Sequence, residues 1–345
     1  MRRREFFRLA AGAAIAPRAP AAGRAKITRI TITPIVGRFH KTVAMNSSSQ
    51  PNGDTYKTYL LRVFTDQGVS GTGTLYYPAP DQAMLEALRT LVGANVFDLY
   101  RIEARRIRGV APAHQDVMTR YRFVDSALFD LIGQLFHVPC YELLGEPVRE
   151  RMEVYDGTLY FSDVMRPEKG IAAVVAEAEE SVRAGYRGMK MKVGRNYKWI
   201  PGLAGVERDI EVVNAVRKAI GPDRKLMADA NNGYRGQFDL AWRFLSETQK
   251  SNLFWIEEIF PQDVANYTRL REKMHQAGMK TLIADGEDMN SADELKPYLH
   301  PLLIDVAQLD IRRMGFLADR EVAKLSAASG GICIPHNWAS QIGDL

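Results

Sequence analysis

The chain has 345 residues, enough for about two domains at roughly 150 residues each, and its 46% hydrophobic and 25% charged content is that of a soluble globular protein. No apolar run reaches the roughly 18 residues a spanning helix needs, and two cysteines, Cys140 and Cys333, are too few for a disulfide framework and read as small core residues. Of the formal charge of +5, +4 sits in the first 21 residues (Arg2, Arg3, Arg4, Arg8 and Arg18 against Glu5), so the remainder carries +1 and lacks the basic face of a nucleic-acid binder.

The N-terminus places Arg2-Arg3-Arg4-Glu5-Phe6-Phe7-Arg8 before an almost wholly apolar stretch from Leu9 to Ala16, followed by the small-residue site Ala19-Pro20-Ala21. That order matches a twin-arginine export signal, so residues 1–25 are expected to be a signal peptide and the mature protein to be exported to the periplasm. Residues 26–148 then read as an α+β region. Ile27–Val36 and Thr58–Phe64 alternate and are β-branched, as strands require, and the polar stretch Met45–Asp54 between them is expected to be a mobile loop. From Asp81 to Leu144 the spacing turns helical, as at Val124, Ala127, Leu128, Leu131, Ile132 and Leu135, with stops at Val138-Pro139 and Gly145.

From residue 149 to 345 short apolar strands alternate with helices. Strands are expected at Glu153–Leu159, Gly188–Val193, Leu226–Ala230, Phe254–Ile259, Thr281–Ala284, Leu302–Val306 and Ile332–Pro335. Helices are expected at Ile171–Ala184, Val206–Ile220, Phe238–Ser246, Val264–Gln276 and Phe316–Ser329. Consecutive βα units of this spacing point to an α/β fold with a parallel (β/α) barrel. The competing open doubly wound sheet is weakened in its dinucleotide-binding form, because no Gly-x-Gly-x-x-Gly follows a first strand.

Barrel active sites gather residues from the C-terminal ends of strands. The second of these strands ends in Met189-Lys190-Met191-Lys192, and the period of two sends both lysines to one side. Mutual repulsion and burial are expected to lower the pKa of one of them, as suits a base; the bland alternative is a solvated edge strand. The next three strands finish near Asp229, Glu257 and Glu287, one carboxylate per unit. Three such groups around one point need a cation, and an oxygen-only set suits Mg²⁺, with Mn²⁺ the other ion of that chemistry. Asp305 on the sixth strand and His336 after the seventh are expected to form a carboxylate–imidazole dyad.

These residues, in this order, resemble the mandelate racemase and muconate lactonizing enzyme family of the enolase superfamily. The resemblance rests on Lys190-x-Lys192, Asp229-Ala230-Asn231, Trp255-Ile256-Glu257-Glu258, Gly286-Glu287, Asp305-x-x-Gln308-x-Asp310 and Pro335-His336-Asn337-Trp338. The segments Ser126–Gly133 and Pro139-x-Tyr141-x-Leu143-Leu144-Gly145 resemble the family's helix leading into the barrel. The resemblance implies a modified (β/α) TIM-type barrel at 149–345 under an N-terminal α+β capping domain at 26–148. It also implies removal of the proton α to a carboxylate through an enediolate, with Mg²⁺ paired with a Lys or His base as in enolase-superfamily sites generally. By position, Asp229, Glu257 and Glu287 become metal ligands, and Lys192 and the Asp305–His336 dyad the two acid/base groups. Lys190 becomes an electrostatic partner of the substrate carboxylate, and Asn231 and Tyr76 substrate-binding residues. Glu258 is expected to turn away from the site. The absence of a lysine between Asp305 and Met314 favours the histidine-containing type.

Two outcomes remain open for the enediolate: loss of a β-hydroxyl as water, giving a 2-keto acid from an acid sugar, or reprotonation from the far side, giving a racemase or epimerase. Dehydration is favoured. The expected partner is a small-molecule carboxylate, in a homo-oligomer with no membrane span, and specificity is expected in Met45–Asp54 and Leu75-Tyr76-Tyr77. Two features depart from the family. Ile259-Phe260 separate Glu257-Glu258 from Pro261, and the final βα unit expected after the seventh strand is missing before Leu345. A rival expectation is therefore a truncated, catalytically impaired binding protein.

Overall fold

The computed structural model describes residues 23–75 and 79–338; most of the expected signal peptide, together with Tyr76 and Tyr77, lies outside them. The chain divides into two compact units. Among the described residues, 23–33, 60–73 and 79–146 form the first, and 34–59, 74–75 and 147–338 the second.

Three strands, β1 (Ile27–Val43), β2 (Gly53–Thr65) and β3 (Ser70–Leu75), form a sheet in that order, each with residues in both units. The first two are longer than expected, and β3 is hidden by its Ser-Gly-Thr-Gly-Thr composition, which carries almost no strand propensity. The rest of the first unit comprises α1 (Gln82–Arg89), the antiparallel pair β4 (Tyr100–Glu103) and β5 (Arg106–Val110), then α2 (Gln115–Arg120), α3 (Asp125–Phe136) and α4 (Cys140–Leu144). The glycines of β3 serve packing: a Cβ on Gly71 would lie 1.9 Å from the carbonyl oxygen of Ala127 and 2.8 Å from the nitrogen of Leu131. Helix α3 therefore seats directly on the strand backbone, and Asp130 on it accepts from the Thr72 N–H at 2.7 Å.

The second unit contains the α/β barrel sheet. Its strands and helices alternate: β6 (Asp156–Leu159), α5 (Ser162–Met165), α6 (Ile171–Arg183), β7 (Gly188–Lys192), α7 (Leu203–Ile220), β8 (Lys225–Asp229), α8 (Phe238–Thr248), β9 (Trp255–Glu257), α9 (Val264–Gln276), β10 (Leu282–Asp285), α10 (Ala292–Leu299), β11 (Val306–Ala307), α11 (Ile311–Ala328) and β12 (Ile332–Cys333). Among the described residues the seven strands pair in sequence order, and every pair is parallel. The outward side chains, Met189, Met191, Leu226, Ala228, Ile256 and Ile283, are buried with those of the surrounding helices in the main core. The inward Met227, Trp255, Ala284 and Val306 form a separate cluster with Tyr155 and Ile334. Apolar side chains are thus buried on both faces of the sheet, which is why the strands read as short apolar runs. Helix α10 has no counterpart among the expected elements, and β11 begins at Val306 rather than Leu302.

Strand register sets the site. Lys192 pairs with Asp229, Asp229 with Glu257, and Glu257 with Ala284, so three charged residues share one rung at the carboxyl ends of β7, β8 and β9. Residues on one rung of a parallel sheet point to the same face.

One buried charge has no such company. Asp319 on α11 is 5% exposed, and neither of its oxygens has a hydrogen-bond partner; burial first, and then the charge of Asp310, push its carboxyl up to about 8. A carboxyl raised in the folded state is ionised more easily in the unfolded chain, so its contribution to stability falls as pH rises from the ordinary carboxylate range to about 8. Asp319→Asn is therefore expected to gain stability over the parent as pH rises from 4 to 8, at most by about 5 kcal/mol at the upper end, roughly 1.4 kcal/mol per pH unit. Thermal melts across that range check it, and parallel curves would contradict it.

Candidate active site

Period two along β7 divides its residues cleanly. Met189 and Met191 enter the outer core, while Lys190 and Lys192 face inward. Lys190 is 6% exposed; its Nζ bonds the Glu257 carboxylate and lies 3.5 Å from Asp229 Oδ2. Lys192 Nζ lies 2.5 Å from the same Asp229 oxygen. Beneath them Trp255 Nε1 donates to Glu257 Oε2 at 2.9 Å, and the Tyr155 ring stands edge-on to Trp255 with its centroid 5.8 Å from Lys190 Nζ. The expected lowering of a lysine pKa is corrected. Burial does pull both ammonium groups down, but Glu257, Tyr155 and Asp229 around Lys190, and Asp229 beside Lys192, outweigh it and raise both. Asp229 is correspondingly held well below the usual carboxylate range: burial raises it, and the two lysines overcome that.

Beyond the strand ends the backbone turns sharply. Asn231, Asn232 and Glu258 have φ of 42°, 60° and 44°, left-handed values that non-glycine residues seldom adopt and that cluster at functional sites. The turn at Glu258 breaks the strand alternation, so the expectation that this side chain leaves the site is also corrected. It is buried, accepts from Asn231 Nδ2 at 3.0 Å, and is pushed well up by burial and then by Glu287, Asp285 and Asp229. Asn231 in turn donates its backbone N–H to Asp229 Oδ1 at 3.0 Å.

At the carboxyl end of β10, Asp285 points into the helix layer, where Tyr267 and Gln262 donate to it, and past the strand Glu287 instead faces His336, whose Nε2 is 3.1 Å from Glu287 Oε2. The imidazole Nδ1 bonds Asp310 Oδ2 at 2.8 Å. The expected Asp305–His336 dyad is therefore corrected to Asp310–His336. Because β11 spans only Val306–Ala307, Asp305 lies at its amino end, bonded to Arg271 Nη2 at 2.6 Å and to the Ile283 N–H at 2.8 Å. Asp310 lies past its carboxyl end, at the start of α11, where it also caps the helix through the Arg313 N–H at 2.9 Å. The signal is present in the sequence, since active residues follow the carboxyl end of a barrel strand; the misplaced strand start conceals it.

A cavity of about 340 Å³ is lined by Lys192, Asn231, Glu287, Asp310 and His336, together with Asn46, Ser49 and Asn52 from the β1–β2 loop and Tyr160 and Trp338. That loop is anchored rather than free. Asn46 Oδ1 accepts the N–H groups of Ser48 and Ser49, Trp199 Nε1 donates to the Asn46 carbonyl at 2.7 Å, and buried Ser47 donates to the Asn231 carbonyl at 2.8 Å. Trp338 belongs to the Pro335-His336-Asn337-Trp338 motif, whereas the contribution of Tyr160 has no sequence signal beyond its nearness to a strand end.

Among the described residues no three His, Cys, Asp or Glu side chains are already gathered around one point, because Asp229 and Glu257 are turned onto the lysines. The donor chemistry nevertheless fits a hard divalent cation. Asp229, Glu257, Glu258 and Glu287 outnumber Lys190 and Lys192, and the buried Glu258 Oε1 and Asn231 Oδ1 have no hydrogen-bond partner.

The family model described as enolase C-terminal domain-like matches residues 173–344. The chain belongs to the enolase superfamily. Its similarity extends beyond that segment: a D-xylonate dehydratase of Haloferax volcanii is 29% identical over 315 residues, 84% of this chain and 71% of that protein. A galacturonate dehydratase from a Geobacillus species, solved with D-galacturonate and 5-keto-4-deoxy-D-galacturonate, superposes with a TM-score of 0.78 at 28% identity, over 94% of this chain and 82% of its own. A Geobacillus mandelate racemase/muconate lactonizing protein, solved with magnesium and tartrate, gives 0.76 at 29% identity, over 93% and 80%. The chain is thus an enzyme of the dehydratase and racemase/epimerase part of this superfamily. Glu257→Gln and Asp229→Asn are expected to weaken Mg²⁺ binding about tenfold or more, as loss of a ligand or its immediate support does, whereas Asp305→Asn should not change it. Titration calorimetry with Mg²⁺ decides, and unchanged affinity in the first two would remove them from the cation site.

Proposed function

We propose that the protein dehydrates an acid sugar to a 2-keto acid in an Mg²⁺-dependent reaction. The observation that carries this reading is that Lys192 and His336, from β7 and from the segment after β12, line one cavity together with the carboxylates Glu287 and Asp310. Asp229, Glu257 and Glu287 would hold Mg²⁺, which supplies positive charge opposite the substrate carboxylate as negative charge builds on it. Lys190, buried beside Glu257, would add a fixed positive charge at the same end. Lys192 would take the α-proton in its neutral form, which a cation held by Asp229 would favour by drawing off the carboxylate that otherwise keeps it protonated. His336, held by Asp310, would deliver a proton to the β-hydroxyl, which leaves as water, and the resulting enol would tautomerise to the 2-keto acid. Neutral donors and acceptors at Asn46, Ser49, Asn52 and Asn231 suit a polyhydroxylated chain better than an apolar one. The relatives' acid-sugar substrates support the same choice.

Proton NMR in deuterated buffer with Mg²⁺ and a panel of acid sugars and simple 2-hydroxy acids tests this reading. Metal-dependent appearance of a 2-keto acid is expected. Inversion with deuterium uptake and no loss of water would instead establish a racemase or epimerase. Lys192→Ala, His336→Ala and Asp310→Asn should each lower turnover by about 100-fold or more, the usual worth of a positioned acid or base, with Asp305→Asn near the parent; equal losses at Asp305 and Asp310 would refute the dyad. The order of charged, apolar and Ala-x-Ala segments in residues 1–25 supports export to the periplasm. Lysine at Arg2, Arg3 and Arg4 is expected to retain the protein in the cytoplasm on cell fractionation, and unchanged periplasmic yield would contradict export by that route.

A further inference from the structure

Behind Lys192 lies a group of buried charges that the proposed chemistry does not use. Arg195 is fully buried. Its Nε and Nη2 reach both oxygens of Asp163 at 2.7–3.2 Å, and its Nη1 donates to Asp209 Oδ1 at 2.6 Å and to the Lys192 carbonyl at 3.3 Å. Asp209 Oδ2 accepts from the Gly194 and Arg195 N–H groups at 2.7 and 3.2 Å and from the Tyr234 hydroxyl at 2.9 Å. Arg208 lies 3.8 Å from Asp163 and supplies the second positive charge. The guanidinium of Arg195 also stacks over Phe161 at 4.2 Å.

These partners come from different βα loops. Phe161 and Asp163 follow β6, Gly194–Asn196 follow β7, and Tyr234 follows β8. The last two loops also meet at close range. Asn196 Nδ2 donates to the Gly233 carbonyl at 3.1 Å, and a Cβ on Gly233 would stand 2.7 Å from Gly194 Cα. Buried ion pairs give little net stability compared with apolar packing of the same volume, because both charges must be desolvated. Here every hydrogen bond of Asp209 goes to groups on Arg195, Gly194 and Tyr234, and one arm of Arg195 goes to the carbonyl of Lys192 itself.

We infer that Arg195 is a positioning residue. With Asp163 and Asp209 it clamps the loops after β6, β7 and β8 into one unit and thereby fixes the backbone from which Lys192 reaches the cavity. The inference rests on the proposed role of Lys192 as an acid/base. A lysine at 195 keeps the charge but lacks the planar fork, so it cannot meet Asp163, Asp209 and the Lys192 carbonyl at once. Tyr234→Phe removes one hydrogen bond and keeps the ring, which makes it the milder companion variant.

Arg195→Lys and Tyr234→Phe are compared with the parent by steady-state kinetics, Mg²⁺ calorimetry and hydrogen-exchange mass spectrometry of the full chain. In Arg195→Lys, kcat is expected to fall about tenfold or more with KM within twofold and Mg²⁺ affinity unchanged. Exchange should rise together in segments 160–166, 192–199 and 231–236 and stay constant in β9 to β11. Tyr234→Phe should move the same quantities in the same direction by less. An unchanged kcat in either folded variant, or faster exchange confined to 192–199 or spread over the whole chain, overturns the clamp. If the parent turns over no acid on the panel, the proposed function fails; the exchange pattern then judges the clamp, linked protection supporting one three-loop unit and independent protection overturning it.

Discussion

Ionised side chains buried at the carboxyl ends of parallel strands must neutralise one another, and much of the second unit is arranged around that requirement. Two unit charges about 4 Å apart at an effective dielectric near 20 attract by roughly 4 kcal/mol, while desolvating each ion costs several. The pairing therefore has to be close and in register. The sheet achieves this by placing Lys192, Asp229 and Glu257 on one rung and Lys190 two residues below on the same face. Beneath them Trp255 donates to Glu257 and Tyr155 packs edge-on against Trp255, so the buried carboxylates and lysines are one another's charge partners. As a result both lysines hold their protons strongly. Any further positive charge beside Asp229 would compete with Lys192 for the same oxygens, so cation affinity and lysine basicity are coupled through a single carboxylate.

The same economy appears at the strand ends, where single side chains serve fold and site together. Asp310 accepts the Arg313 N–H as the N-cap of α11 and holds the His336 ring with its other oxygen. The cap fixes the direction of the carboxylate, and so the plane of the imidazole, without extra residues. Asn231 and Glu258, both in left-handed backbone, bond each other across the ends of β8 and β9. Conformations of that kind cost of order 1–3 kcal/mol each and persist where surrounding contacts over-determine them. Here the contacts include the bond from Asn231 N–H to Asp229 and that from Ser47 to the Asn231 carbonyl, so the loop between β1 and β2 is tied to the strand that carries Asp229.

What is legible in the sequence follows from the same physics. The barrel strands that are apolar on both faces stand out as short hydrophobic runs, and the inward lysines of β7 stand out because they interrupt one. Both features survive in the structure with small shifts of boundary. Strand β3 is invisible because its glycines are demanded by close packing on α3, a tertiary requirement that removes the local signal. The misassigned partner of His336 has a different origin. A strand of two residues has too little alternation to fix its own ends, so the apolar Leu302–Ile304 turn reads as strand, which puts Asp305 inside the expected Leu302–Val306 strand near its carboxyl end. Glu258 is misplaced for want of any local sign that the backbone turns left-handed after Glu257. The lysine pKa shift comes out with the wrong sign because like-charge repulsion is visible along one strand, whereas the opposing carboxylates come from the next two.

The hydrogen bonds of His336 bear on which way an enediolate would collapse. Each ring nitrogen faces a carboxylate, Asp310 on Nδ1 and Glu287 on Nε2. Two acceptors on one imidazole are satisfied only when both nitrogens carry protons, so this geometry favours a ring poised to give a proton over one poised to take it. A racemase needs each of its two groups to act as base for one enantiomer and acid for the other, and therefore needs both to lose a proton at comparable cost. A dehydratase needs one base and one acid. The proposed dehydration fits the asymmetry seen here: Lys192 is paired with one carboxylate, Asp229, that it shares with Lys190, while His336 contacts two, Glu287 and Asp310, the latter also capping α11. Under the proposed function, the outcome would be set by whether the bound acid presents a hydroxyl at the β-carbon to His336, and Asn46, Ser49 and Asn52 would be the polar lining that meets such hydroxyls.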